Sequence, residues 1–149
     1  MADTPDATMT DATTLSTAIP KASKSHELVT ATIKSPPYSY AHLQVFNPSP
    51  ASGRTFDLDA LQLRSWCTAA MKQFLGVTGT GVSLDVLKVG GSSAWVRLPR
   101  NDLAAFAAAV TAWQGAMQDG EHYSLRVKGC SDWLGALVGQ EGQDELWTS

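Results

Sequence analysis

The chain has 149 residues, of which 44% are hydrophobic and 17% charged, and its net charge is −3. That is enough apolar material for one packed domain with tails, and it excludes a wholly disordered chain. No apolar run is long enough to cross a bilayer, and so nearly neutral a body lacks the basic footprint of an autonomous nucleic-acid binder.

The charge is unevenly spread. The residues before Tyr38 hold three Lys against four Asp/Glu, those after Val138 hold Glu141, Asp144 and Glu145, and the middle is left at +1. The N-terminus lacks a charged-then-apolar signal pattern, and Asp3, Asp6 and Asp11 argue against a mitochondrial presequence, so an intracellular protein is expected. Cys67 and Cys130 are too few and too dispersed for a disulfide framework or a zinc site, and each reads as a small buried hydrophobe.

Residues 1–24 are rich in Thr, Ala, Ser and Asp without periodicity, which predicts a disordered tail. Residues 25–37 form a lead-in whose HELVTATIK stretch is either an extra strand or merely extended. Pro36 and Pro37 remove two backbone donors and separate it from the next segment. Tyr38 to Phe46 is the first clear strand. Ala41, Leu43 and Val45 point one way, while Tyr40, His42 and Gln44 point the other. NPSPASGR (47–54) is a loop by its turn residues.

Asp59, three residues before Gln62, sets a capping box for a helix ending near Leu75, and Leu58 is placed to staple onto Leu63. Leu63, Cys67, Ala70 and Phe74, with Trp66 and Met71 beside them, give that helix an apolar side. Gly76, Gly79 and Gly81 stop it. A second strand runs from Val82 to Val89, Gly90–Gly91–Ser92 reverse the chain, and Ala94, Val96 and Leu98 alternate in a third.

Pro99, Asn101 and Asp102 start a second helix, with a stripe of Leu103, Phe106, Ala107, Val110, Trp113 and Met117 that Gly120 terminates. Tyr123, Leu125 and Val127 alternate in a fourth strand. Ser131 or Asp132 caps a short last helix carrying Trp133, Leu134 and Leu137. Residues 139–149 read as an acidic C-terminal tail ending in Leu146 and Trp147.

The order β-α-β-β-α-β implies an α+β, ferredoxin-like (RRM-like) two-layer sandwich over residues 38–138. Two helices cover one face of an antiparallel sheet, and the short helix comes after them.

The glycine run GVTGTG (76–81) invites a phosphate-loop reading, but phosphate cradles lead from a strand into a helix N-terminus. This one leaves a helix C-terminus, where carbonyls are exposed, so a helix stop is the better reading. His26, His42 and His122 show no metal-ligand spacing, and no nucleophile–base grouping is marked. No catalytic residue, metal site or cofactor is expected.

The face of the sheet away from the helices is more informative. Tyr40, His42 and Gln44 would lie beside Trp95 and Arg97, with Arg126 and Lys128 flanking them. Aromatic and basic residues on such a sheet stack single-stranded RNA in RNA-recognition modules. The third strand, SSAWVRLP, lacks that motif's glycine–aromatic pattern. Tyr, Trp and Arg are equally the residues that protein interfaces favour, and the near-neutral charge places a protein partner ahead of RNA.

SYAHLQVF (39–46), DLDALQLRSWCTAAMKQFLGVTGTGVSLDVLKVGGSSAWVRLP (57–99), the Leu103–Trp113 helix and YSLRVKGCSDWL (123–134) together carry a family likeness. The chain resembles the small protein subunits of eukaryotic ribonuclease P and ribonuclease MRP, above all the fungal Pop-eight type, which is grouped with the Pop-five and Rpp-fourteen subunits. The likeness covers Tyr38 to Val138. It implies the same βαββαβ fold and a nuclear, nucleolar, non-catalytic subunit of a ribonucleoprotein whose RNA holds the catalytic centre. It further implies support of tRNA 5′-leader and rRNA processing, Pop-five-like and Rpp-one-like protein partners, and contact with the complex's RNA through other subunits. An independent RRM-like single-stranded RNA-binding module is the alternative.

Overall fold

A computed structural model describes residues 28–49, 53 and 56–146, the side chains of residues 141–146 excepted. The chain divides at Ile33/Lys34 into two units. In the first, residues 28–33 form neither helix nor strand and expose Leu28, Val29 and Ile33. The disorder expected over 1–24 lies outside the described residues, as does the tail's terminal Trp147.

The second unit is built on five antiparallel strands in the order β2-β3-β1-β5-β4. These are β1 (Tyr38–Phe46), β2 (Asp85–Gly90), β3 (Ser93–Pro99), β4 (Ala116–Gln118) and β5 (Glu121–Ser131). The central strand β1 pairs Tyr40 with Arg97 and His42 with Trp95 on β3, and Gln44 with Arg126 on β5. Its bounds match the alternation that defined it, with Ala41, Leu43 and Val45 all buried.

Helix α1 (Ala60–Leu75) starts where Asp59 accepts a hydrogen bond from the Leu61 N–H at 3.2 Å. The Gln62 side chain does not close the expected box but donates to the Gln118 side chain of β4. Leu63, Trp66, Cys67, Ala70 and Met71 are buried, whereas Phe74, expected on the same apolar side, is half exposed. Helix α2 (Leu103–Ala112) buries Phe106, Ala109 and Val110, and α1 and α2 pack together over the β1 residues Ala41, Leu43 and Val45. An aromatic group finishes this layer, with Trp66 5.9 Å from both Trp113 and Tyr123, and Phe56 4.5 Å from Tyr123.

Three parts depart from the expected plan. Gly76–Gly81 form a 3-10 turn, so that β2 begins at Asp85 and not at Val82. The second helix stops at Ala112 and does not continue to Gly120. Trp113 leaves it in an extended conformation, Gly115 takes φ +92°, and residues 116–118 become an extra strand, β4, paired with 121–123. The hairpin turns on Asp119 and Gly120, both at positive φ (51° and 81°), which is the backbone an Asp-Gly turn supplies.

The last helix, α3 (Leu134–Leu146), has 13 residues, so it is not short and it runs into the stretch read as an acidic tail. It packs against β1 and β5 on the face opposite α1 and α2. Leu137 is its buried anchor, and a Cβ added to Gly129 would lie 3.1 Å from the Leu137 Cδ2. The sheet is therefore covered on both sides along part of its width.

Candidate functional site: the second face of the sheet

Pleat alternation places Tyr40, His42 and Gln44 on the sheet face opposite Ala41, Leu43 and Val45, and cross-strand pairing brings Trp95 and Arg97 beside them. The seven residues singled out from the sequence do gather on or beside one surface, but they do not share one environment. His42 and Trp95 stack face to face, with centroids 4.2 Å apart and planes 4° apart. Both are buried, at 8% and 7% exposure. Leu134 and Val138 of α3, with Leu87 and Lys88 of β2, line a cavity of about 290 Å³ against Trp95. The centre of the expected open surface is thus roofed by the chain's own last helix.

The other five sit around that roof. Arg97 is partly exposed. It donates to Asp85 Oδ2 from Nε at 3.1 Å and from the terminal nitrogen at 2.7 Å, and its guanidinium lies 4.6 Å from the Tyr38 ring centroid. The Asp85 hydrogen bond holds the Arg97 pKa above its ordinary value. Arg126 is exposed and rests 3.4 Å over the Phe46 ring. Tyr40 and Gln44 are half-buried, and Lys128 is exposed at a bulge where β5 has one residue more than β1 between Val127 and Gly129. Guanidinium groups placed over aromatic rings offer both charge and apolar surface, which suits a protein or RNA contact.

A polar latch at one end of the sheet was not legible as a unit in the sequence. The fully buried Ser39 hydroxyl donates to Asp132 Oδ1, and Arg100 Nε donates to Asp132 Oδ2 at 2.8 Å. The Arg100 N–H also donates to the Pro37 carbonyl at 3.0 Å. Of the two cap candidates for the last helix, Ser131 Oγ accepts a hydrogen bond from the Trp133 N–H at 3.1 Å, whereas the Asp132 carboxylate ties the start of β1 to the β3–α2 turn. The Ser39 hydrogen bond holds its pKa below the ordinary 3.8, with Arg100 adding to the effect against the opposing cost of burial.

The glycine run after α1 is a helix stop. Gly76 takes φ +68° and donates to the Lys72 carbonyl, while Thr78 and Thr80 donate to the carbonyls of Leu75 and Val77 at 2.8 and 2.7 Å. The groups presented there are carbonyls already satisfied by hydroxyls, the wrong polarity for an anion. Burial pushes the Cys67 thiol up to about 12, which makes it a core side chain and a poor nucleophile. Among the described residues no group of three or more His, Cys, Asp or Glu could hold a metal ion.

Comparison with known proteins gives this arrangement its context. The model of the family described as Ribonucleases P/MRP protein subunit Pop8 matches residues 37–113, from the start of β1 to the end of α2 and just over half of the chain. No curated protein sequence matches. A chain of the cryo-EM structure of yeast Ribonuclease MRP is similar in fold, with a TM-score of 0.61 and 19% identity. The likeness covers 76% of this chain and 97% of that one.

Proposed function

We propose, for a chain that belongs to the Pop8 family of ribonuclease P/MRP protein subunits, a non-catalytic role as an assembly piece of those ribonucleoproteins. The family match across residues 37–113 carries the reading, because it spans the whole β1-to-α2 framework. In this role the complex's RNA supplies the cleavage centre for tRNA 5′ leaders and precursor rRNA, and the protein positions other subunits in the nucleus and nucleolus. A Pop-five-like paralogue and an Rpp-one-like subunit are the partners, and contact with RNA passes through them. They meet the rim of the second face, at Tyr40, Gln44, Arg97, Arg126 and Lys128.

The polar groups support this reading by what they are used for. Arg97 is engaged with Asp85, Arg100 with Asp132, and Asn47 with Glu121 at 2.7 Å, all in contacts that hold elements together. The burial of Trp95 under α3 weighs against an independent RNA-recognition module, since a base could stack there only after the helix had moved. The purified chain alone should leave precursor tRNA intact, and its depletion from cells should cause 5′-extended tRNA precursors to accumulate. Cleavage by the isolated chain, or unchanged precursor levels on depletion, would overturn the proposal.

A further inference from the structure

Among the described residues, the outer edge of β5 has no neighbouring strand over most of its length. Pairing with β4 stops at Tyr123, while pairing with β1 continues to Ser131. The direction of the backbone groups is set by one hydrogen bond. The Val45 N–H donates to the Ser92 carbonyl, on the β3 side, at 2.7 Å. Successive strand residues alternate direction, so Gln44 and Phe46 turn their N–H and C=O groups toward β5. Their partners Arg126 and Ser124 face back toward β1, which directs the backbone groups of Leu125 and Val127 to the open edge. Tyr123, at the same parity, is the residue that pairs with Ala116 of β4, as this alternation requires.

A groove of about 390 Å³ runs beside that edge, bounded by Thr111 and Trp113 at the end of α2 and by Ser124 to Val127 of β5. On the other side of the strand, Arg126 is exposed on the second face and Lys128 is exposed at the bulge, with no acidic residue between Ser124 and Ser131. A bulge and edge cations are the devices by which proteins deter indiscriminate strand pairing. Two copies of this chain pairing edge to edge would bring like charges together. An acidic strand would instead be attracted.

We propose that the β5 edge from Ser124 to Ser131 accepts an extended segment of another protein subunit, added as a sixth strand beyond β4's reach. Its side chains alternate between acidic residues beside Arg126 and Lys128 and small or apolar residues entering the groove at Thr111 and Trp113. Main-chain hydrogen bonds to Leu125 and Val127 supply the affinity, and the two cations select the partner. This rests on the proposed role as an assembly subunit.

The test compares amide hydrogen exchange over residues 124–131 in the free full-length chain and in the ribonucleoprotein purified through a tag on that chain. A carbodiimide cross-link from Lys128 and ultraviolet photo-cross-links from residues 124–131 to RNA are mapped in the same complex. The expected result is exchange slowed at least tenfold over this segment in the complex, a Lys128 cross-link to an Asp or Glu of another protein subunit, and loss of the exchange protection in R126E/K128E. Unchanged exchange in an intact complex overturns the strand proposal and leaves the assembly role standing, as does protection with a photo-cross-link from this segment to RNA only. Recovery of the chain with no ribonuclease RNA and no other subunit overturns the assembly role, and this inference with it.

Discussion

The His42 imidazole and the Trp95 indole lie parallel, 4.2 Å apart, on neighbouring strands and beneath a helix that begins three residues after the end of β5. That stack converts the most interface-like residues of the sequence into part of a second, smaller core. Partners reach this face at its edges, and the helix α3 is as much a part of the fold as the sheet it covers.

Trp95→Ala removes a buried indole that contacts the roofing helix's cavity and the imidazole. Such a truncation costs about 3–5 kcal/mol. The denaturant midpoint of the isolated chain should fall accordingly, whereas Lys128→Ala, at an exposed position, should leave it within about 0.5 kcal/mol of the parent. Equal midpoints for the two variants would contradict the burial of Trp95.

Two glycines of the turn, Gly79 and Gly81, should respond differently. A Cβ on Gly79 would sit 2.7 Å from the Met71 carbonyl carbon and closer still to its oxygen, so Gly79→Ala forces the turn off α1. A cost of about 1–3 kcal/mol is expected from that overpacking. Gly81 has open space and no positive φ, so Gly81→Ala should be neutral or stabilising by about 0.4–1 kcal/mol. Thermal melts of the pair check the contrast, and a neutral Gly79→Ala would contradict it.

Much of the plan is open to local reading. Strict alternation delimits β1, Asp59 caps α1 as its position indicates, and Gly90–Gly91 turn β2 into β3. The end of α2 is misleading in the sequence because Trp113 and Met117 keep the helical spacing of Leu103, Phe106 and Val110. The competing signal, Asp119-Gly120, outweighs the stripe once β4 has β5 to pair with. The alternation also gathers the candidate residues on one face. What roofs that face cannot be read locally, since it depends on Leu137 finding the space left by Gly129, eight residues earlier and on a different element.

Asp132 makes the latch pH-dependent. Its pKa is lower in the folded than in the unfolded chain, so its contribution is complete above the ordinary 3.8 and is lost as pH falls through the depressed folded value. Stability measured by denaturant titration should drop at the acid end for the parent. Asp132→Asn should be less stable at pH 7 and show a shallower acid dependence below about pH 4. Parallel profiles for the two proteins would remove Asp132 from the latch.

Thiol chemistry should separate the cysteines. Cys67 is buried and its thiol is pushed up to about 12, whereas Cys130 is exposed on β5. Ellman's reagent should titrate one thiol in the native chain and two after unfolding, and Cys130→Ser should abolish the native signal. Two fast thiols in the native state would contradict the packing of α1 on the sheet.

The most direct measurement is affinity purification of the full-length tagged chain from its own cells at physiological salt, with the recovered RNA sequenced and the proteins identified. The expected result is the RNA of ribonuclease P or MRP together with other protein subunits of those complexes, in an eluate that processes precursor tRNA or rRNA. Recovery of the chain free of any such RNA and subunit would contradict its role as an assembly piece of these ribonucleoproteins.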